Sequence, residues 1–236
     1  MAIFRSSLLA DVRGSIGGSV YSRNRSGAII RNRTNPINPN TTAQSLVRVR
    51  FASKAAEFQV LDPAKQEGWA TFAELVPSLN SLGESYTPTA KQRYIQSNLN
   101  LAAVGAAQVD SPTLGDTVAP SLDLSTVAPV ATVTAGVLTA LDLVALINAE
   151  GATHIVVQAT PPAPSGVRSN RNQMRTMFAG AFTVNVDLMA AYEDVYNGGD
   201  PVPVVADQRI NFRVRAVNDV NGLASAWYYL TTLVSV

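Results

Sequence analysis

RINFRVRAV, residues 209–217, puts Ile210, Phe212, Val214 and Ala216 on one parity and Asn211, Arg213 and Arg215 on the other. Successive side chains of a strand leave it on opposite sides, so this alternation predicts a strand with one face in a core and the other in solvent. On either side of it, residues 131–135, 137–146, 153–160, 174–182 and 224–234 are also rich in β-formers and are separated by Gly, Pro and Asn turns. Several short strands spaced this way predict a two-sheet sandwich. Residues 188–196 interrupt them as a short helical or irregular insertion.

Upstream the period changes. Thr41 and Gln44 have capping-box spacing, and Val47, Phe51, Ala55 and Phe58 then recur on one helical face. Asp62-Pro63 suits an N-cap and first helical residue ahead of Trp69, Phe72, Ala73 and Val76. Thr87-Pro88 repeats the device before Tyr94, Ile95, Leu99 and Ala102, and Gly105 reads as the stop. Between residues 106 and 129 the composition turns to Ala, Ser, Thr, Asp, Gly and Pro without a helical period, which marks a linker or the first edge of the sandwich.

The first forty residues are of a third kind. Residues 14–33 read as an extended hairpin: Val20, Ala28 and Ile30 supply apolar positions, and Gly14, Gly17, Gly18 and Gly27 allow turns or close approach. Asn24 to Gly27 is the expected turn, and the prolines of Asn35-Pro36-Ile37-Asn38-Pro39 hold the end of the arm extended. The predicted organisation is therefore α+β, with an extended arm over 1–40, a three-helix region over 41–105, a linker or edge over 106–129 and a β-sandwich over 130–236.

Of the 236 residues, 47% are hydrophobic, enough for a sizeable core. There is no cysteine and one histidine, His154, which removes disulfides and thiolate nucleophiles and leaves neither a His-based metal cage nor a His-dependent triad to assemble. No basic-then-apolar leader and no membrane-length apolar run is present, so the expectation is a soluble product made in the cytoplasm. Net charge is +1, but residues 1–50 hold eight arginines and one acid, a balance of +7. The other 186 residues hold 10 basic and 16 acidic groups, a balance of −6, and residues 106–165 contain five acids and no Lys or Arg. Segments of opposite sign attract between molecules.

Each candidate site has a plainer alternative. Gly14-Ser15-Ile16-Gly17-Gly18 lacks the Gly-Lys-Ser/Thr ending of a phosphate loop and reads as a structural turn. Asp110, Asp116 and Asp123 are too widely spaced for a calcium loop. His154, ahead of Ile155, Val156 and Val157, reads as a sandwich residue. The guanidinium groups of Arg23, Arg25, Arg31 and Arg33 match phosphate oxygens, but Tyr21 is the one neighbouring aromatic for base stacking. Intersubunit contacts are therefore preferred to nucleic acid.

Two resemblances add to this. Residues 210–218, followed by Gly222, Ala224, Ser225, Ala226 and Trp227, resemble the last two strands of a fibronectin type III domain, over roughly the last half of the chain. Gly14-Ser15-Ile16-Gly17-Gly18, Ser22-Arg23-Asn24-Arg25, Gly27, Arg31, Asn35-Pro36, Asn38-Pro39-Asn40-Thr41 and Gln44, with Trp69 later, resemble the opening of proteins encoded by tailed bacteriophages and prophages. The second resemblance implies a virion structural component.

Ordering a backbone costs about 1–2 kcal/mol per residue, and an arm without an interior must recover that from a neighbour. The expectation is a non-enzymatic virion protein without metal or cofactor, associated with the capsid as a minor or decoration component. It would meet copies of itself or other virion proteins through Arg5, Arg13, Arg23, Arg25, Arg31, Arg33, Gly17, Gly18, Tyr21 and Ile30. The alternatives are a tail or filament subunit linked head to tail by the arm, and a nucleic-acid-binding virion protein.

Overall fold

The computed structural model describes residues 2–4, 12–25, 27–34, 38–123, 127–135, 137–144, 147–166, 171–182, 185–205 and 207–234. The chain is α+β, with four α-helices among the described residues and all strand pairings antiparallel. It divides into two compact units, residues 1–96 with 110–117 and residues 97–109 with 118–236.

In the first unit β1 (Ala2–Phe4), β2 (Gly14–Ile16), β3 (Ser19–Asn24) and β4 (Gly27–Asn32) form one sheet in the order β1-β4-β3-β2. The expected hairpin is present: Asn24 pairs with Gly27, which sits at φ +123°, a value that favours glycine. Helices α1 (Thr42–Val60) and α2 (Pro63–Leu75) start where the sequence predicts. The Gln44 N–H donates to Thr41 Oγ1 at 3.3 Å and the Ala64 N–H to Asp62 Oδ1 at 3.0 Å. A short hairpin of two-residue strands, β5 (Ser78–Leu79) with β6 (Ser85–Tyr86), leads to α3 (Ala90–Val104).

The start of α3 corrects the sequence expectation. The cap is Thr89, not Thr87: the Gln92 N–H donates to Thr89 Oγ1 at 3.2 Å, and the Thr89 N–H donates back to Gln92 Oε1 at 2.9 Å. This reciprocal box satisfies two helix-terminal donors, which Thr87-Pro88 has no partner to do. Gly105 ends the helix at φ +71°, as expected.

The helical core is aromatic. Trp69 and Tyr94 are fully buried with ring centres 5.5 Å apart at 88°, and Phe58 and Phe72 pack on them at 5.4 and 5.7 Å. The Trp69 Nε1–H donates to the Asp110 carbonyl at 2.9 Å. Burial, with smaller contributions from Glu57 and Asp110, pushes the Tyr94 hydroxyl up to about 12. The α1 stripe is buried only at Phe58, while Val47 and Phe51 are exposed. In α3, Leu99 is half-buried and Ala102 exposed, and the buried positions include Arg93, Ser97 and Asn98. The Arg93 guanidinium reaches the Val76 carbonyl, Ser78 Oγ and Gln96 Oε1, which is how a charged side chain is accommodated there.

In the second unit the strands are β7 (Ser121–Asp123), β8 (Ala128–Thr134), β9 (Val137–Val144), β10 (Ile147–Glu150), β11 (His154–Ala159), β12 (Arg175–Ala181), β13 (Val186–Asp187), β14 (Arg209–Val217) and β15 (Tyr228–Leu233). They build a three-stranded sheet β13-β9-β8, a four-stranded sheet β12-β11-β14-β15 and the pair β10-β7. Strands β7, β10 and β13 have two to four residues, too short for periodicity to reveal.

The core face of residues 209–217 is as expected, but the other face is not open to solvent: Asn211 and Val217 are buried and Arg213 and Arg215 half-buried. Ile210, Phe212, Val214 and Ala216 join Ile155, Val157 and Ala159 in a buried cluster that also takes Ala131, Val133, Leu138, Leu141 and Leu143 from the three-stranded sheet. Both sheets thus turn one face to the same core. Helix α4 (Met189–Asn197), in the stretch read from sequence as a helical or irregular insertion, seals it with Tyr192, fully buried, whose hydroxyl donates to the Thr160 carbonyl at 2.8 Å. On the other side of the four-stranded sheet, Val104 at the end of α3 and Ala106 just beyond it cover Val156, Val217, Ala224 and Trp227.

On the outer side of the three-stranded sheet Asp142 lies directly opposite Asp187. Burial first, and then Asp187, raise the Asp142 carboxyl above the usual carboxylate range. A raised folded value means that the proton on Asp142 adds stability at low pH, and that this is lost as pH rises through that value. Asp142→Asn is therefore expected to stabilise the monomer at neutral pH by about 0.2–1 kcal/mol, with the gain shrinking in acid. Urea unfolding at two pH values checks the sign.

Candidate assembly surface

Among the described residues the N-terminal sheet is a single layer. Between β2 and β3 the chain turns on Gly17 and Gly18, with Ile16 opposite Ser19 and Gly17 at φ +57°. A hairpin turn with positive φ at its first central position suits glycine there. The turn is tied down by the Arg33 N–H, which donates to the Gly18 carbonyl at 2.7 Å. Register sorts the side chains: Tyr21 faces Ile30 and Arg23 faces Ala28 on one side, while Val20 faces Arg31 and Ser22 faces Ile29 on the other. Apolar groups therefore occupy both faces of one layer.

Burial is sparse despite them. Among the described side chains of residues 12–34 only Ile29 is buried, Val20, Tyr21 and Ile30 are half-buried, and Ile16 is 68% exposed. A sheet normally covers at least one face with a second layer. The outer strand β2 is exposed at all three residues, and such an edge presents unpaired backbone groups.

Of the residues singled out from sequence, the sheet brings Tyr21 and Ile30 into a facing pair and puts Gly17 and Gly18 together in one turn. The arginines are dispersed. Arg23 and Arg31 lie on opposite faces, Arg25 sits in the turn between β3 and β4, Arg33 comes after β4 at the far end of the hairpin, and Arg13 precedes β2. All five are exposed, and Arg5 lies outside the described residues.

Sequence reasoning missed the apolar surface beside this sheet in the chain. Leu46, Val47, Val49 and Phe51, on the first turns of α1, are each at least half exposed. Helical spacing flags Val47 and Phe51 as core and cannot say that the packing ends before it reaches them. Arg48 donates to Asn38 Oδ1 at 2.8 Å and to Asn40 Oδ1 at 3.3 Å, fixing the last residues of the arm to the second turn of α1.

The other candidates are ordinary structural residues. His154 is half-buried with Nδ1 3.1 Å from Thr153 Oγ1, and the Asp110 carboxylate meets Lys65 at 3.5 Å. Among the described residues no three His, Asp or Glu converge as a metal site would require, and no helix is long and apolar enough to cross a membrane. No protein-family model matches the chain, and no curated protein matches it.

Proposed function

We propose that the chain is a non-enzymatic structural subunit that assembles through residues 1–40, with a fibronectin type III-like sandwich as its second module. One observation carries this reading: a four-stranded sheet, single-layered among the described residues, has apolar groups on both faces, yet only Ile29 among its described side chains from 12 to 34 is buried. A neighbouring chain can cover those faces and extend the β2 edge by strand addition. The exposed arginines add charge-assisted hydrogen bonds to carboxylates, which the rest of the chain supplies in excess. The three- and four-stranded sheets around one core, with β14 and β15 as the closing hairpin, support the sandwich assignment.

The setting we propose is the virion, in a capsid-associated position, on the resemblance of residues 14–44 to tailed-phage proteins. The placement of Arg23 and Arg31 on opposite faces favours partners on both sides over one nucleic-acid groove. Deleting residues 1–40 is expected to leave a folded remainder by circular dichroism while abolishing incorporation into particles. Normal incorporation of the truncated protein would sink the reading. Salt-sensitive DNA binding lost with Arg23, Arg25, Arg31 and Arg33 would replace it with the nucleic-acid one.

A further inference from the structure

The two sheets of the second unit carry like-charge pairs on their outer faces. On the four-stranded sheet, Arg213 and Arg215, both half-buried, project away from the core beside the Val156–Val217 patch that Val104 and Ala106 cover, and both guanidinium groups stack on Trp227, with their central carbons 4.3 and 4.7 Å from its ring centre. Arg213 Nε donates to Gln158 Oε1 at 2.7 Å, while the buried Nε of Arg215 has no acceptor. Neither arginine has a carboxylate partner among the described residues. Burial and then the neighbouring Arg213 pull the Arg215 guanidinium below its usual range. Tyr229, directly opposite Arg213, and Leu233 are about half exposed on the same face.

The three-stranded sheet presents the reverse. Asp142 and Asp187 are directly opposed across β9 and β13, with the exposed Val130 facing Asp142 from β8. Asp187 Oδ1 accepts from the Met189 N–H at 2.8 Å, and neither acid has a cationic partner among the described residues. Like charges directly opposed on neighbouring strands work against the sheet that carries them. Because both sheets turn their inner faces to the same core, the arginine pair and the aspartate pair point away from each other.

We infer that the four-stranded face of one copy docks on the three-stranded face of another, with Arg213 and Arg215 meeting Asp142 and Asp187. Each pair supplies the counter-charge that the other lacks. The indole pre-orders the two guanidinium groups by cation–π stacking, which lowers the entropy lost on docking. Tyr229 and Val130 provide apolar contact beside the charges. Two different faces of one molecule make a heterologous contact, which closes into a ring or propagates as a filament. The contact is independent of residues 1–40.

Sedimentation velocity of the full chain over a concentration series tests it. Self-association is expected to weaken in high salt, and Arg213→Glu or Asp142→Lys is expected to weaken it about tenfold or more, the scale of one lost close charge pair. An equimolar mixture of the two variants is expected to restore it, because the unchanged Asp142 face of one meets the unchanged Arg213 face of the other, and at the next junction the new carboxylate meets the new ammonium. If either variant melts below the parent, Arg213→Gln and Asp142→Asn test the same contact without charge reversal. A monomer at every concentration, variants that associate as the parent does, or a mixture that stays dissociated would each overturn the inference. Association that survives Arg213→Glu but is lost in Arg23→Glu/Arg31→Glu would overturn this contact and leave the N-terminal reading standing; the opposite pattern would do the reverse.

Discussion

Trp69→Ala is expected to lower the unfolding free energy of the helical unit by about 3–5 kcal/mol, the range for deleting a fully buried large aromatic side chain. Trp69 sits edge-on to both Phe72 and Tyr94, so its loss opens a cavity that α2 and α3 cannot close by rotamer changes alone. It also leaves the Asp110 carbonyl without its indole donor. Trp69→Phe separates the two contributions by keeping a ring while removing the N–H, and should cost about 1–3 kcal/mol. The chain has two tryptophans, so in either variant the remaining fluorescence reports Trp227 in the β unit, while far-UV circular dichroism tracks the helices. Equal urea midpoints for parent and Trp69→Ala would contradict the claim that this aromatic cluster organises the unit.

The second large effect is expected at Gly222, where alanine should cost at least about 2 kcal/mol. Two penalties combine. Gly222 lies at φ +65°, in the left-handed region where a Cβ crowds its own backbone, and a Cβ built there would stand 2.3 Å from the Ser97 carbonyl oxygen. The obstacle is backbone and cannot swing aside. Asn100 Nδ2 donates to the Gly222 carbonyl at 2.9 Å, so moving this turn also breaks its tie to α3. Gly198 gives the control: its φ is also +65°, but nothing lies within 4 Å of its Cβ position. Gly198→Ala should therefore cost only the conformational part, about 1–2 kcal/mol. If chemical denaturation shows equal losses for the two alanine variants, the close approach at Ser97 contributes nothing.

The features legible ahead of the structure were local. The alternation of residues 209–217, the Thr41 and Asp62 caps, the Gly105 stop and the hairpin turn before Gly27 each rest on interactions within about four residues. Thr89 and Gln92 have the same capping-box spacing, but a proline at 88 marks Thr87 as the cap by pattern alone, and only the hydrogen bonds distinguish the two threonines. The candidate surface was legible in part. Its glycines and apolar positions lie where the pattern placed them, but neither composition nor spacing shows that Arg23 and Arg31 part to opposite faces, because that depends on strand register.

The class of each segment, α over 41–105 and β over most of 130–236, is a property of the sequence alone, as is the polarity of its charge, since propensity, capping and side-chain parity act within one element. Which side chains become neighbours was left to the fold: Asp142 meets Asp187 because β9 and β13, far apart in the chain, pair in one register, and Arg213 meets Trp227 because β15 returns antiparallel on β14. The reason is that a backbone hydrogen bond carries no record of the residue it joins. Register is chosen by the whole buried face at once, and the outer faces receive whatever that choice brings together.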